Sequence, residues 1–144
     1  MALAQSARVI VADTGPLYAL IDRSDSWHRR VKSWWASQAR AIVVPVTVLP
    51  EVCHLLQTRI SASAEHAFVR AVSEGQFLTE PLEPEDVARA EALMLEYAEL
   101  PLGFVDATVI AIAERLGARE VLTTDHRHFN VIRPKHVMKL TLVP

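Results

Sequence analysis

Short apolar runs alternate along this chain with longer stretches whose hydrophobic positions recur every three or four residues. Residues 8–12, 41–46 and 120–124 are the clear runs, and weaker ones occupy 76–80 and 136–142. Bounded by turn residues, such runs read as short buried strands. Between them, 14–22 and 26–39 carry helical spacing, and Trp27, Val31, Trp34 and Trp35 form one apolar stripe. Thr47 stands where it can cap a helix containing Glu51 and Cys53, with Pro50 in the first turn, where a missing N–H matters least. Ser61 and Ser63 offer caps for a helix reaching about 74, stopped by Gly75. Pro84 opens a long helix through Leu100, ended by Pro101, and another runs from about Gly103 to Leu116, with Gly117 at its stop. Strands alternating with helices predict an α/β fold: a five-stranded parallel sheet covered on both faces, because right-handed crossovers place the helices there.

Four acidic residues mark this pattern. Asp13 ends the first run, Glu51 opens the helix after the second, and Asp106 and Asp125 flank the last long helix and the strand after it. Each alone fits a helix cap or a turn. Together they gain meaning from the topology. Ligands of open α/β sheets sit beyond the carboxyl ends of strands where the strand order reverses. The predicted topology brings the ends of the first and fourth strands, and two helix N-termini, to that edge. Hard oxygen donors gathered there would hold Mg²⁺ or Mn²⁺. Asp13 and Asp106 are the expected direct ligands, with Glu51 and Asp125 completing a second site or holding water.

Composition narrows the setting. The chain has 144 residues, 51% of them hydrophobic, which fits one domain over 1–144 with enough apolar material for a core. Cys53 is the only cysteine, so an intrachain disulfide and a zinc finger are both excluded, and a reducing cytoplasm suits the chain. The first residues lack a basic segment ahead of an apolar stretch, and no apolar run approaches the ~20 residues of a membrane span. A net charge of −2 argues against a general nucleic-acid coat, so any such contact is local.

The acids lie in segments that resemble the PIN-domain nucleases, most closely the VapC-type toxins of toxin–antitoxin pairs. The matching stretches are 11–20, around Asp13, Thr14, Gly15 and Pro16; 46–52, around Pro50 and Glu51; 103–117, around Asp106; and 122–129, around Thr123, Thr124 and Asp125. The resemblance implies a three-layer α/β/α sandwich with sheet order 3-2-1-4-5. It assigns the family's acidic quartet to Asp13, Glu51, Asp106 and Asp125, and its hydroxyl residue to Thr123. It further implies metal-dependent hydrolysis of RNA leaving a 5′-phosphate and a 3′-hydroxyl, a cognate antitoxin protein, and a homodimer with both pockets along a shared groove. One departure stands out: where the family often carries Asp in the turn after the last acid, this chain has His126 and His128.

Other signals are weaker. His126 and His128 without a second His or Cys pair make a poor zinc motif and read as solvent or phosphate contacts. Arg23, Arg29, Arg30 and Lys32 form a basic segment near the first acid, and Arg127, Arg133, Lys135 and His136 another near the last. From these, Arg29, Arg30, His126, Arg127 and His128 are the expected RNA contacts. Trp27 and Trp34 read as core or interface, and Trp35 as the tryptophan exposed to a partner. A haloacid-dehalogenase-type phosphatase needs a second Asp where Gly15 stands, and a receiver domain lacks its early acidic pair. A housekeeping PIN-domain nuclease, or a non-catalytic nucleic-acid or protein binding module on this fold, remains the alternative.

Overall fold

The computed structural model describes residues 9–144. Arg8, the expected first residue of the first strand, lies outside the described residues. The elements run β1 (Val9–Ala12), α1 (Thr14–Ile21), α2 (His28–Ser37), β2 (Ala41–Pro45), α3 (Val48–Arg59), α4 (Ala62–Ser73), β3 (Leu78–Glu80), α5 (Pro84–Glu96), α6 (Phe104–Leu116), β4 (Glu120–Leu122), α7 (His126–Val131) and β5 (Thr141–Val143).

All pairings are parallel and the sheet order is β3-β2-β1-β4-β5, as expected. β1 is central, with Val11 opposite Val43 of β2 and Val121 of β4. Ile10, Val11 and Ala12 are fully buried, the unbroken apolar run that a parallel strand covered on both faces requires. Right-handed crossovers from β1 through β2 to β3 put α1–α4 on one face, and the return to β4 and β5 puts α5–α7 on the other. The strand order therefore reverses between β1 and β4.

α6 shows why its sequence looks apolar nearly all round: it packs on β1, β2 and α5, and every residue from Ala107 to Ala113 is buried. Gly117 ends it at φ 68°, the left-handed conformation that glycine adopts without a Cβ clash. Ser61 caps α4 by accepting from the Ala64 N–H. At the start of α5, the Glu83 N–H donates to Asp86 Oδ2 at 2.9 Å, one half of a reciprocal cap.

The differences from expectation lie at the edges. The helix from Pro84 stops at Glu96, and 97–100 continue as turns, because the residue before Pro101 is biased away from helical ψ. The fifth strand is only Thr141–Val143, not 136–142. His136 instead turns inward to hydrogen-bond the Ala118 carbonyl, and Met138 stands 91% exposed. The turn after Asp125 is a short helix, α7, held by the fully buried Phe129 and by Ile132 just beyond it. Burying a side chain of that size contributes about 2 kcal/mol, enough to fix one helical turn. Trp35 packs edge-on against Phe77 rather than standing free.

Candidate metal centre

Asp13 is placed by the backbone. Its N–H donates to the Leu122 carbonyl at 2.8 Å, so the first acid leaves β1 directly against the end of β4. The chain then turns into α1 so tightly that a Cβ on Gly15 would lie 2.2 Å from Thr124 Oγ1. That contact explains the glycine, and it leaves no room for the second acid a phosphatase of the alternative class would need.

Thr123 joins the two strand ends. Its own N–H continues the sheet to the Val143 carbonyl at 2.8 Å. Its fully buried hydroxyl donates to Asp13 Oδ2 at 3.1 Å and accepts from the Asp125 N–H at 2.9 Å. One hydroxyl thus orients the first acid and anchors the last. Asp125 caps α7, with Oδ1 accepting from the His128 N–H at 3.2 Å.

Asp106 and Glu51 come from the first turns of α6 and α3. Thr47, expected to cap α3 through its side chain, instead meets the Thr108 hydroxyl at 2.7 Å, and Thr108 donates onward to the Val105 carbonyl. That link ties the helix bearing Glu51 to the helix bearing Asp106. Glu51 is exposed on the lip of the pocket, whereas Asp13 is only 6% exposed.

Electrostatics record the crowding. Burial pushes the Asp13 carboxyl up to about 7, with the Asp106 and Glu51 charges adding to the rise, while the Thr14 N–H and the Thr123 hydroxyl hold it back. Asp106 is raised to about 6 by burial and by the charges of Asp125 and Glu51, and His128 opposes the rise. Carboxyls raised in this way, by burial first and by neighbouring acids second, cluster at functional sites. Asp13 and Asp106 thus each carry the charge of other acids at this sheet edge.

One donor atom from each of Asp106, Asp125 and His128 lies within 4.8 Å of the others. The donor set fits a divalent cation, and the buried His128 Nδ1, 2.9 Å from Asp125 Oδ2 without an aligned hydrogen bond, is an orphaned polar atom facing it. The sequence reading gave His128 to solvent or RNA and missed this grouping; its spacing of three from Asp125 was the available signal.

The expected RNA contacts are found in different states. His126 stacks on Trp27, with ring centroids 5.7 Å apart at 29°, and the Arg30 guanidinium sits 5.2 Å from the same indole. Trp27 is thus part of a rim stack rather than the core. Arg30 also donates to the Pro144 carbonyl at 3.0 Å. Arg29 shares an exposed groove with Arg23, His28 and Lys32, and Arg127 is exposed on α7.

Among known proteins, the PIN domain model matches residues 10–133. Ribonuclease VapC26 of Mycobacterium tuberculosis is 30% identical over 135 residues, covering 94% of this chain and all of that protein. The crystal structure of VapC20 from the same organism, described as a sarcin–ricin loop cleaving toxin, superposes with a TM-score of 0.79 at 25% identity, covering 90% of this chain and 98% of that one. The DNA-bound VapBC complex of Salmonella typhimurium contains a chain of the same fold, with a TM-score of 0.68 at 16% identity over 92% of this chain and 96% of that one. The fold, the strand-end acids and these likenesses converge: the chain belongs to the PIN-domain family and is similar to its VapC-type members over nearly its whole length.

Proposed function

We propose that this chain, as one PIN-like domain over 1–144, is a metal-dependent endoribonuclease and the toxin of a toxin–antitoxin pair, acting in the cytoplasm as a homodimer. The observation that carries the reading is the grouping of the Asp106, Asp125 and His128 donor atoms beside buried Asp13, at the point where the sheet reverses its strand order. The similarity to a named ribonuclease over 94% of the chain supports RNA as substrate. Among the described residues, no helix is long and apolar enough to cross a membrane.

Asp13, Asp106 and Asp125 would hold Mg²⁺ or Mn²⁺, and Glu51 on the lip would close the set. A bound divalent ion supplies Lewis acidity toward the phosphodiester and lowers the pKa of an attacking water. Thr123 keeps Asp13 and Asp125 in register through its two hydrogen bonds. Arg29, Arg30, His126 and Arg127 would position phosphates without reading sequence. Hydrolysis of this kind leaves a 5′-phosphate and a 3′-hydroxyl. Cleavage of labelled structured RNA should require Mg²⁺ or Mn²⁺ and should be lost in Asp13→Asn and in Asp106→Asn, both folded by circular dichroism. Full cleavage by either variant would sink the assignment. Growth arrest on expression, relieved by a neighbouring small protein and absent for Asp106→Asn, separates a toxin from a housekeeping nuclease.

A further inference from the structure

We propose that the His128 imidazole is a direct ligand of the divalent ion, and that this nitrogen makes the site prefer Mn²⁺ over Mg²⁺. The proposal rests on the metal-centre reading above and adds a residue and a selectivity to it.

Geometry comes first. His128 lies three residues after Asp125 on the first turn of α7, so the two side chains rise on one face. The turn cannot drift: the Asp125 carboxylate caps it, and the next residue, Phe129, is fully buried. Donor atoms of Asp106, Asp125 and His128 already lie within 4.8 Å of one another. Ligands about 2.1 Å from one ion are about 3 Å apart when adjacent and about 4.2 Å when opposite, so the set draws together by small side-chain movements as the ion binds.

Hydrogen bonding separates this role from a plain ion pair. His128 Nδ1 is buried and 2.9 Å from Asp125 Oδ2, yet it makes no aligned hydrogen bond there. A ring that served only to pair with Asp125 would point its N–H along that contact. A nitrogen and a carboxylate oxygen that approach side by side present two lone pairs to a common acceptor instead.

Charge supplies the reason for a histidine. Neighbouring acids already raise the cost of ionising Asp13 and Asp106. A further carboxylate at this point would add repulsion before any ion arrived, whereas a neutral imidazole adds a donor without adding charge. The chemical consequence follows from the donor. Oxygen-only sets suit Mg²⁺, and imidazole nitrogen favours the later first-row ions. His126, the other candidate, also has a buried ring nitrogen without a partner, Nε2, but its ring stacks on Trp27 and it does not join the donor group.

The test uses the full chain loaded with Mn²⁺ and read by pulsed electron paramagnetic resonance. The spectrum should show modulation from a directly coordinated ¹⁴N, which changes to the ¹⁵N pattern when the protein carries ¹⁵N-histidine. The coupling should vanish in His128→Asp and persist in His126→Gln. Competition titrations should show the preference for Mn²⁺ over Mg²⁺ falling about tenfold in His128→Asp. If that variant does not fold, His128→Gln, which leaves the helix turn intact, takes its place. Bound Mn²⁺ without nitrogen coupling in the wild type overturns the proposal and leaves the metal-centre reading standing. Coupling that follows His126 instead also overturns it. Failure of the wild type to bind Mn²⁺ at all overturns both.

Discussion

The metal-free pocket should weaken the protein as pH rises, and Asp13 should carry most of that effect. Its carboxyl is raised from 3.8 to about 7, chiefly by burial and next by Asp106. Between those two values the folded chain binds more protons than the unfolded one, so stability falls as pH rises. The contribution is fully present below the unfolded value and is gone once pH has passed the folded one. At 1.36 kcal/mol per unit, about 1.5 kcal/mol is already lost near pH 5 and about 4 kcal/mol near pH 8, a difference of about 2.5 kcal/mol. Asn at this position is neutral throughout and can still accept from the Thr123 hydroxyl and the Thr14 N–H. Urea unfolding of wild type and Asp13→Asn in chelator, at both pH values, isolates the effect. Asp106 titrates in both proteins and cancels to first order. The gap between them should move by about 2.5 kcal/mol in favour of Asp13→Asn on going from about pH 5 to about pH 8. A gap that stays constant with pH would mean that Asp13 is already ionised in the acid sample, a helix cap and nothing more.

Thr123→Val removes the donor that favours ionised Asp13, so in chelator its stability should fall more steeply with pH than the wild type's, and Thr123→Ser should restore the wild-type slope. Equal slopes for all three proteins would dissociate the hydroxyl from the acid. Arg115→Ala tests a network at the far end of α6, where Arg115 meets Asp86 at 3.0 Å and Glu80 at 2.8 Å. Asp86 is only 2% exposed, and stripping its partner should cost about 3 kcal/mol in urea unfolding while leaving cleavage per folded molecule unchanged. A loss under about 1 kcal/mol would show that the buried carboxylate is satisfied by its backbone cap alone.

Much of this architecture was legible because the relevant signals are local. Asp13 and Asp125 follow apolar runs whose composition allows little but buried strand, and Gly75 and Gly117 mark helix ends by the conformation they adopt, φ 77° and 68°. Sheet order came from the family resemblance rather than from the spacing of residues, since periodicity says which segments are strands and not which are neighbours. The fifth strand was misplaced for a physical reason. Residues 136–140 look extended by composition, but the His136 side chain is drawn to the Ala118 carbonyl and only Thr141–Val143 reach β4.

The site was less legible than the acids that mark it. Where each carboxylate stands follows from strand ends and helix starts; how strongly it titrates depends on what closes over it. Nothing local in the sequence distinguishes the burial of Asp13 from that of Glu51, yet one is buried under Thr123 and the other is exposed. Only the packed structure separates them, because desolvation is a property of neighbours brought from residues more than a hundred positions away. His128 illustrates the same limit. Its segment is too short to display helical periodicity, and the helix exists because Phe129 and Ile132 are buried, a tertiary cause. Once that turn forms, the spacing of three from Asp125 becomes a shared face, and a residue expected at solvent or phosphate stands beside Asp106 and Asp125 in the candidate metal centre.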